Sequence, residues 1–192
     1  MRELIVLVGP PASGKSAFQR SHLDWVVVSK NDLRACMFRA LYVAPDEETI
    51  ERVYASALVE AIGSDAKVVC VDALNLSSKT RVSLIEMARI AGRRPTAHVM
   101  PMLSVDEHEA GIRRNIQALR KERPHLRISG PSRQDLEALL ADYTRVSVTE
   151  GFYDIVWHEA PRVSNVVPDA VTASQVRSRK RSERREPLPL FV

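Results

Sequence analysis

Apolar residues are distributed along this chain in two alternating patterns. Short continuous runs occur at Leu4–Val8 (LIVLV), Asp24–Ser29 (DWVVVS), Lys67–Ala73 (KVVCVDA), Thr96–Leu103 (TAHVMPML) and Tyr153–His158 (YDIVWH). Runs of this kind predict strands buried on both faces. Between them lie segments whose apolar positions recur at helical spacing: KSAFQRSHL after the first run, NDLRACMFRALY after the second, then Asp46–Gly63, Ser78–Gly92 and VDEHEAGIRRNIQALRK. Gly63 and Gly92 stand where two of these helices should stop. Strands alternating with helices, without an internal repeat, predict a three-layer α/β domain built on a parallel sheet.

Length and charge narrow the picture. A chain of 192 residues holds one well-packed domain, with 45% hydrophobic and 27% charged residues as in soluble globular proteins. Formal net charge is +4, and Arg177–Glu186 alone carries six basic and two acidic side chains, so the chain before it is close to neutral. The boundaries that follow are a domain over 1–165 and a basic extension over 166–192, the latter read either as a solubilising end or as a phosphate-binding arm. No apolar run approaches the length of a bilayer, and MRELIVLV leads into Gly9 instead of a cleavage site, so no membrane association or signal peptide is expected. Cys36 and Cys70 form no disulfide framework, which fits a cytoplasmic setting, and the five histidines show no metal-ligand spacing.

Chemistry concentrates in four places. The first strand runs straight into GPPASGKS, Gly9–Ser16, which matches G-x-x-x-x-G-K-[ST]. In such a loop successive backbone N–H groups and the start of the following helix cradle phosphates. Gly9, Pro10, Pro11, Ala12, Ser13, Gly14, Lys15, Ser16 and Ala17 are therefore the expected ATP-binding residues, with Lys15 on the β- and γ-phosphates and Ser16 on Mg²⁺. Second, Asn31, Asp32 and Arg34 follow the second strand, at the sheet edge where open α/β folds bind ligands. Asp32 is the candidate base for an attacking hydroxyl and Arg34 the candidate holder of an acceptor phosphate; the plainer reading is that Asn31 or Asp32 caps a helix.

Third, Asp72 ends the third strand in VVCVDALNLSSKTR, as a metal-supporting acid or a turn-forming one, with Asn75 and Arg81 placed to face the same cleft. Fourth, Arg113 and Arg120, seven apart on one helical face, precede Lys121–Arg133, a segment with Pro124, Gly130 and Pro131 that reads as a mobile loop. Arginines on a closing lid would neutralise charge developing on a transferred phosphoryl group, whereas most charged helix faces are merely solvated.

VLVGPPASGKS, the NDLR segment, VVCVDALNLSSKTRVSLIEMARIAG, the RRNIQALR segment and VTEGFYDIVWHEA, which span Leu4 to about Ala160, together resemble the polynucleotide kinase-type branch of P-loop kinases. The resemblance implies a five-stranded parallel sheet in the order 2-3-1-4-5 beneath an Arg-bearing lid. It implies transfer of the ATP γ-phosphate to the 5′-hydroxyl end of DNA or RNA, a nucleic-acid repair reaction. It also implies a catalytic set of Lys15, Asp32, Arg34, Arg114 and Arg120, with Ser16 and Asp72 at the metal. Two departures stand out. The family spacing Asp-x-x-Arg places Asn31 at the base position, leaving Asp32 as the nearby carboxylate, and Ala118 occupies the last place of an Arg-Asn-x-x-Arg pattern. A small-molecule or nucleotide kinase, and a noncatalytic ATP-binding module, are the alternatives.

Overall fold

The five apolar runs form one parallel sheet in a computed structural model that describes residues 1–159. Its strands are β1 (Glu3–Val8), β2 (Val26–Ser29), β3 (Val68–Asp72), β4 (Arg94–Val99) and β5 (Asp154–Trp157). They lie in the order β2-β3-β1-β4-β5, with every pairing parallel. β1 sits at the centre because Leu4–Val8 is apolar throughout, and all five residues are buried. The basic extension predicted over 166–192 and its boundary lie outside the described residues.

Helices cover both faces. Tyr54, Leu58 and Ile62 of α3 (Glu47–Gly63) and Leu84, Ile85 and Ala88 of α4 (Ser78–Ile90) pack with Leu4, Val6, Val8, Val69 and Val71 on one face. Phe18 of α1 (Lys15–Arg20) packs near Ile5, Leu7 and Cys70 on the other. Each fully buried Val, Leu or Ile contributes about 1.5–3 kcal/mol, so the paired faces of β1 anchor the domain. Two further helices are α2 (Lys30–Phe38) and α5 (Val105–Glu122).

Two segments depart from the sequence reading. The helix expected to run to Tyr42 stops at Phe38, where Arg39 adopts a left-handed cap (φ 50°), and Ala40–Leu41 becomes a short strand. Its partner is Arg127–Ile128, inside the segment expected to be a mobile loop. Leu41, Leu126 and Ile128 form a buried cluster around this ladder, and Arg120 donates to Ile128 O at 3.0 Å. A sixth helix, α6 (Arg133–Ala141), then begins at a Ser132–Asp135 capping box. The lid loop is thus pinned; its Pro and Gly residues shape turns between short ordered pieces.

Arg93 shows how a polar group is accommodated at the bottom of the sheet. Its guanidinium donates to the carbonyls of Ile62, Ala61, Ser64, Ala66 and Glu3, filling acceptors left open where α3 ends.

Candidate active site

The carboxyl ends of β1, β2 and β3 converge on one cavity of about 1120 Å³. Gly9–Ser16 leaves β1 and turns into α1 at Gly14, whose φ of 102° is open to glycine and strained for other residues. From the lid side, α5 approaches so closely at Gly111 that a Cβ there would lie 2.9 Å from Ala12 Cβ. A larger side chain at residue 111 would push the phosphate loop and α5 apart.

Lys15 is buried, and its ammonium donates to Gly9 O (2.7 Å) and Pro10 O (2.8 Å), wrapped back over the loop it belongs to. Burial lowers its pKa to about 8, against the opposing pull of Asp72. Ser16 Oγ donates to Asp72 Oδ2 at 3.4 Å. Asp72 itself is held above the usual carboxylate range, first by burial and further by the neighbouring Asp32 charge, while Lys15 and Ser16 act the other way. β2 and β3 are in register at Ser29 and Asp72, which brings the start of α2 beside Asp72.

The capping reading of Asn31 and Asp32 is corrected by the structure. Ser29 caps α2, its Oγ accepting from Asp32 N at 3.3 Å, so Asn31 and Asp32 lie within the first turn. Asn31 Oδ1 instead accepts from Arg34 Nη1 (3.0 Å) and Tyr42 N (3.3 Å). Asp32 is exposed, lines the cavity, and among the described residues its carboxylate takes part in no ion pair or side-chain hydrogen bond.

Arg34 is engaged from two sides. Besides Asn31, it meets Glu47 through Nε (2.9 Å to Oε1) and Nη2 (2.7 Å to Oε2). Glu47 also accepts from Ala44 N, and these donors, Arg34 foremost, hold its carboxyl below the usual range. Nothing local in the sequence marks Glu47 as this partner, because it sits thirteen residues away at the start of α3.

Other predicted residues separate. Arg81 does not face the cleft: it is fully buried, pairs bidentately with Glu150 (2.7 and 2.8 Å) and donates to the carbonyls of Asn75, Leu76 and Thr144. Asn75 is buried too, with its amide donating to Leu7 O at 2.8 Å, although it also lines the cavity wall. Both residues build the turn after β3. On α5, Arg113 pairs with Glu109, Arg114 is exposed beside Gly111 where the helix meets Ala12, and Arg120 is committed to the lid ladder. Asn115 and Arg123 line the cavity, as do Arg20 and Lys79. Arg123 was hidden in sequence by the loop-like composition around it.

His108 is a core histidine, one of the two places the sequence allowed for it. It is fully buried in the first turn of α5, Nε2 accepts from Leu103 N at 3.1 Å, and burial holds its pKa down. With Nε2 accepting, a neutral ring carries its proton on Nδ1, a buried atom with no hydrogen-bond partner among the described residues.

A parallel sheet of this order, a phosphate-binding loop at its centre and a lid above define a nucleotide-binding P-loop protein of the kinase type. An AAA domain family model matches residues 4–123, and the chain belongs to that family. No curated protein matches the sequence. Among solved structures, Kti12 of Chaetomium thermophilum in complex with ADP-AlF3 is 18% identical, with a TM-score of 0.51 over 81% of this chain and 88% of that one. A proposed kinase of Chloroflexus aurantiacus is 17% identical, with a TM-score of 0.54 over 82% of this chain and 84% of that one. A chain of the Pnkp1/Rnl/Hen1 complex is 26% identical over 57% of this chain and 38% of its own length, at a TM-score of 0.48, a likeness too loose to bear on function. Among the described residues, no helix is long and apolar enough to cross a membrane.

Proposed function

We propose that this protein transfers the γ-phosphate of ATP to the 5′-hydroxyl end of a polynucleotide. The observation that carries the reading is Asp32, an unengaged carboxylate lining the same cavity as Lys15, Ser16 and Asp72. A phosphoryl acceptor needs a base at its hydroxyl and a phosphate cradle opposite, and little else from the protein than positioning.

In this reading Asp32 takes the proton of the 5′-hydroxyl as its oxygen bonds to the γ-phosphorus. The bond from phosphorus to the bridging oxygen breaks, and ADP leaves with the electron pair. Lys15, released from Gly9 O and Pro10 O, neutralises charge on the β- and γ-phosphates. Arg123 is the lid cation that lines the cavity, Arg114 stands exposed on α5 beside Gly111, and Arg120 is tied to Ile128 O. Arg34, aligned by Glu47 and Asn31, faces the acceptor.

Magnesium suits Ser16 and Asp72. They offer a hydroxyl and a carboxylate, both oxygen donors, and a nucleotide-bound Mg²⁺ takes only one or two protein ligands. Among the described residues no cluster of three His, Cys, Asp or Glu side chains is placed to hold a metal without a nucleotide. Held by Ser16 and Asp72, the ion would supply positive charge to offset that of the phosphates.

A hydroxylated small molecule is the second reading, favoured by the pairing of Arg34 with Glu47, which offsets the charge expected to meet an acceptor phosphate. The test is γ-labelled ATP with a 5′-hydroxyl oligonucleotide and Mg²⁺, with Lys15→Ala as control. Label on the oligonucleotide that disappears in the variant supports the proposal. ATP binding without label on the oligonucleotide moves the assignment to a small acceptor.

A further inference from the structure

Ala12, Tyr42 and Asn75 are three of the four non-glycine residues with positive φ among the described residues, and all three line the cavity. For Ala12 and Asn75 the reason is evident: one belongs to the phosphate loop and the other to the turn after β3. Tyr42 has no such explanation. A bulky residue at φ 70° is an outlier that persists only where its surroundings over-determine it.

Two contacts hold it there. Asn31 Oδ1 accepts Tyr42 N–H at 3.3 Å, and the ring leans on the small cluster of Leu41, Leu126 and Ile128 that joins α2 to the lid. The side chain is half-buried, so part of the ring remains open to the cavity. Burial raises its pKa, and among the described residues its hydroxyl makes no hydrogen bond. What the strained backbone presents is therefore an aromatic face rather than a polar handle. Asn31 and Arg34 share one hydrogen bond, so the ring and the acceptor-side arginine are positioned by the same amide.

Resting on the polynucleotide reading above, we infer that Tyr42 is a stacking platform for the base of the acceptor's 5′-terminal nucleotide, with Asn31 as its positioning residue. An aromatic side chain is suited to this task because every base offers a π-face, whatever its sequence. Arg20, Lys79 and Arg123 line the same cavity and suit a nucleotide's phosphates, beside the carboxylates of Glu51, Glu122 and Asp142. The platform makes the enzyme demand a terminal base while staying indifferent to which base it is.

The experiment compares two 5′-hydroxyl oligonucleotides of one sequence, the second with a tetrahydrofuran abasic residue at its 5′ end. Both are phosphorylated with γ-labelled ATP by the wild type, Tyr42→Phe and Tyr42→Leu. Phe and Leu keep a Cβ at the strained position, so the comparison isolates the ring. The expected result is a preference of about tenfold in kcat/KM for the base-bearing end, the size of one lost stack. Tyr42→Phe should keep that preference and Tyr42→Leu abolish it, with KM for ATP the same in both. Equal use of the two oligonucleotides by the wild type overturns the inference while the polynucleotide activity stands. A higher KM for ATP in Tyr42→Leu, with the acceptor preference intact, also overturns it, since the ring would then serve the donor. If the wild type labels neither oligonucleotide while turning over ATP, the polynucleotide reading fails and this inference falls with it.

Discussion

On the proposed reading the cavity has a donor half and an acceptor half, and the two are built in different ways. On the donor side, eight contiguous residues make the phosphate cradle from backbone, and its cation bonds only to carbonyls of its own loop. On the acceptor side, the parts come from α2, the residues after it, the start of α3 and the lid, and they are tied by Asn31, Glu47 and a two-residue ladder. The donor half is thus a local device that any strand and helix of the right spacing can carry. The acceptor half depends on tertiary structure, with Arg34 paired to Glu47 while Asp32 stays unengaged. The proposed function thus places specificity for the second substrate in the half with the longer-range contacts.

Mutations should divide along the same line. Asp32→Asn removes the proposed base while leaving shape intact, and phosphoryl transfer should fall about 10²–10⁴-fold. Nucleotide affinity measured by titration should not move, and a parallel loss of both would place Asp32 on the donor side. Arg81→Leu tests the joint between the halves. It leaves Glu150 buried without its guanidinium, and urea unfolding should show a loss of about 3–5 kcal/mol; a change below 1 kcal/mol would mean that the turn after β3 stands without it.

Glu47→Gln loosens Arg34 without touching the phosphate loop. Transfer to the acceptor should drop about 10²-fold, as for a misplaced positioning group, with KM for ATP unaltered; a selective rise in that KM would contradict the division. The smallest effect comes from pH. Burial sets Lys15 near 8, so in the nucleotide-free protein it is charged below that pH and loses its proton above it. Phosphates favour the charged form, hence affinity for ATP should be level below about pH 8 and weaken by up to tenfold per unit above it. An affinity that stays flat to about pH 9.5 would show that Lys15 remains charged in the empty loop.

These two halves were unequally legible in the sequence. The strands and the covering helices follow from apolar runs that signal their own burial, the sheet order came only with the family resemblance, and the phosphate loop is a contiguous pattern. The acceptor half is not, because Arg34 and Glu47 meet across a turn, and the Ala40–Leu41 ladder is too short to leave a period-two signal. Pro124, Gly130 and Pro131 read as flexibility, yet Leu126 and Ile128 between them are buried. Arg81 looked like a cleft residue for a similar reason: sequence places it one turn into α4 and gives no sign that Glu150 awaits it from a segment 69 residues on. Asn31, which the family spacing puts at the base position, accepts from both Arg34 and Tyr42 N, a link that no local pattern announces.

Whether the two halves work as one is tested most directly by measuring both products of a single reaction. ATP labelled at the γ-position is incubated with the protein and Mg²⁺, with and without a 5′-hydroxyl oligonucleotide. Free phosphate and oligonucleotide-bound label are then counted together. The account predicts slow turnover without the oligonucleotide and, with it, one labelled 5′ end for each ADP formed. Turnover that proceeds to free phosphate at the same rate in both mixtures would make water the acceptor and contradict the account.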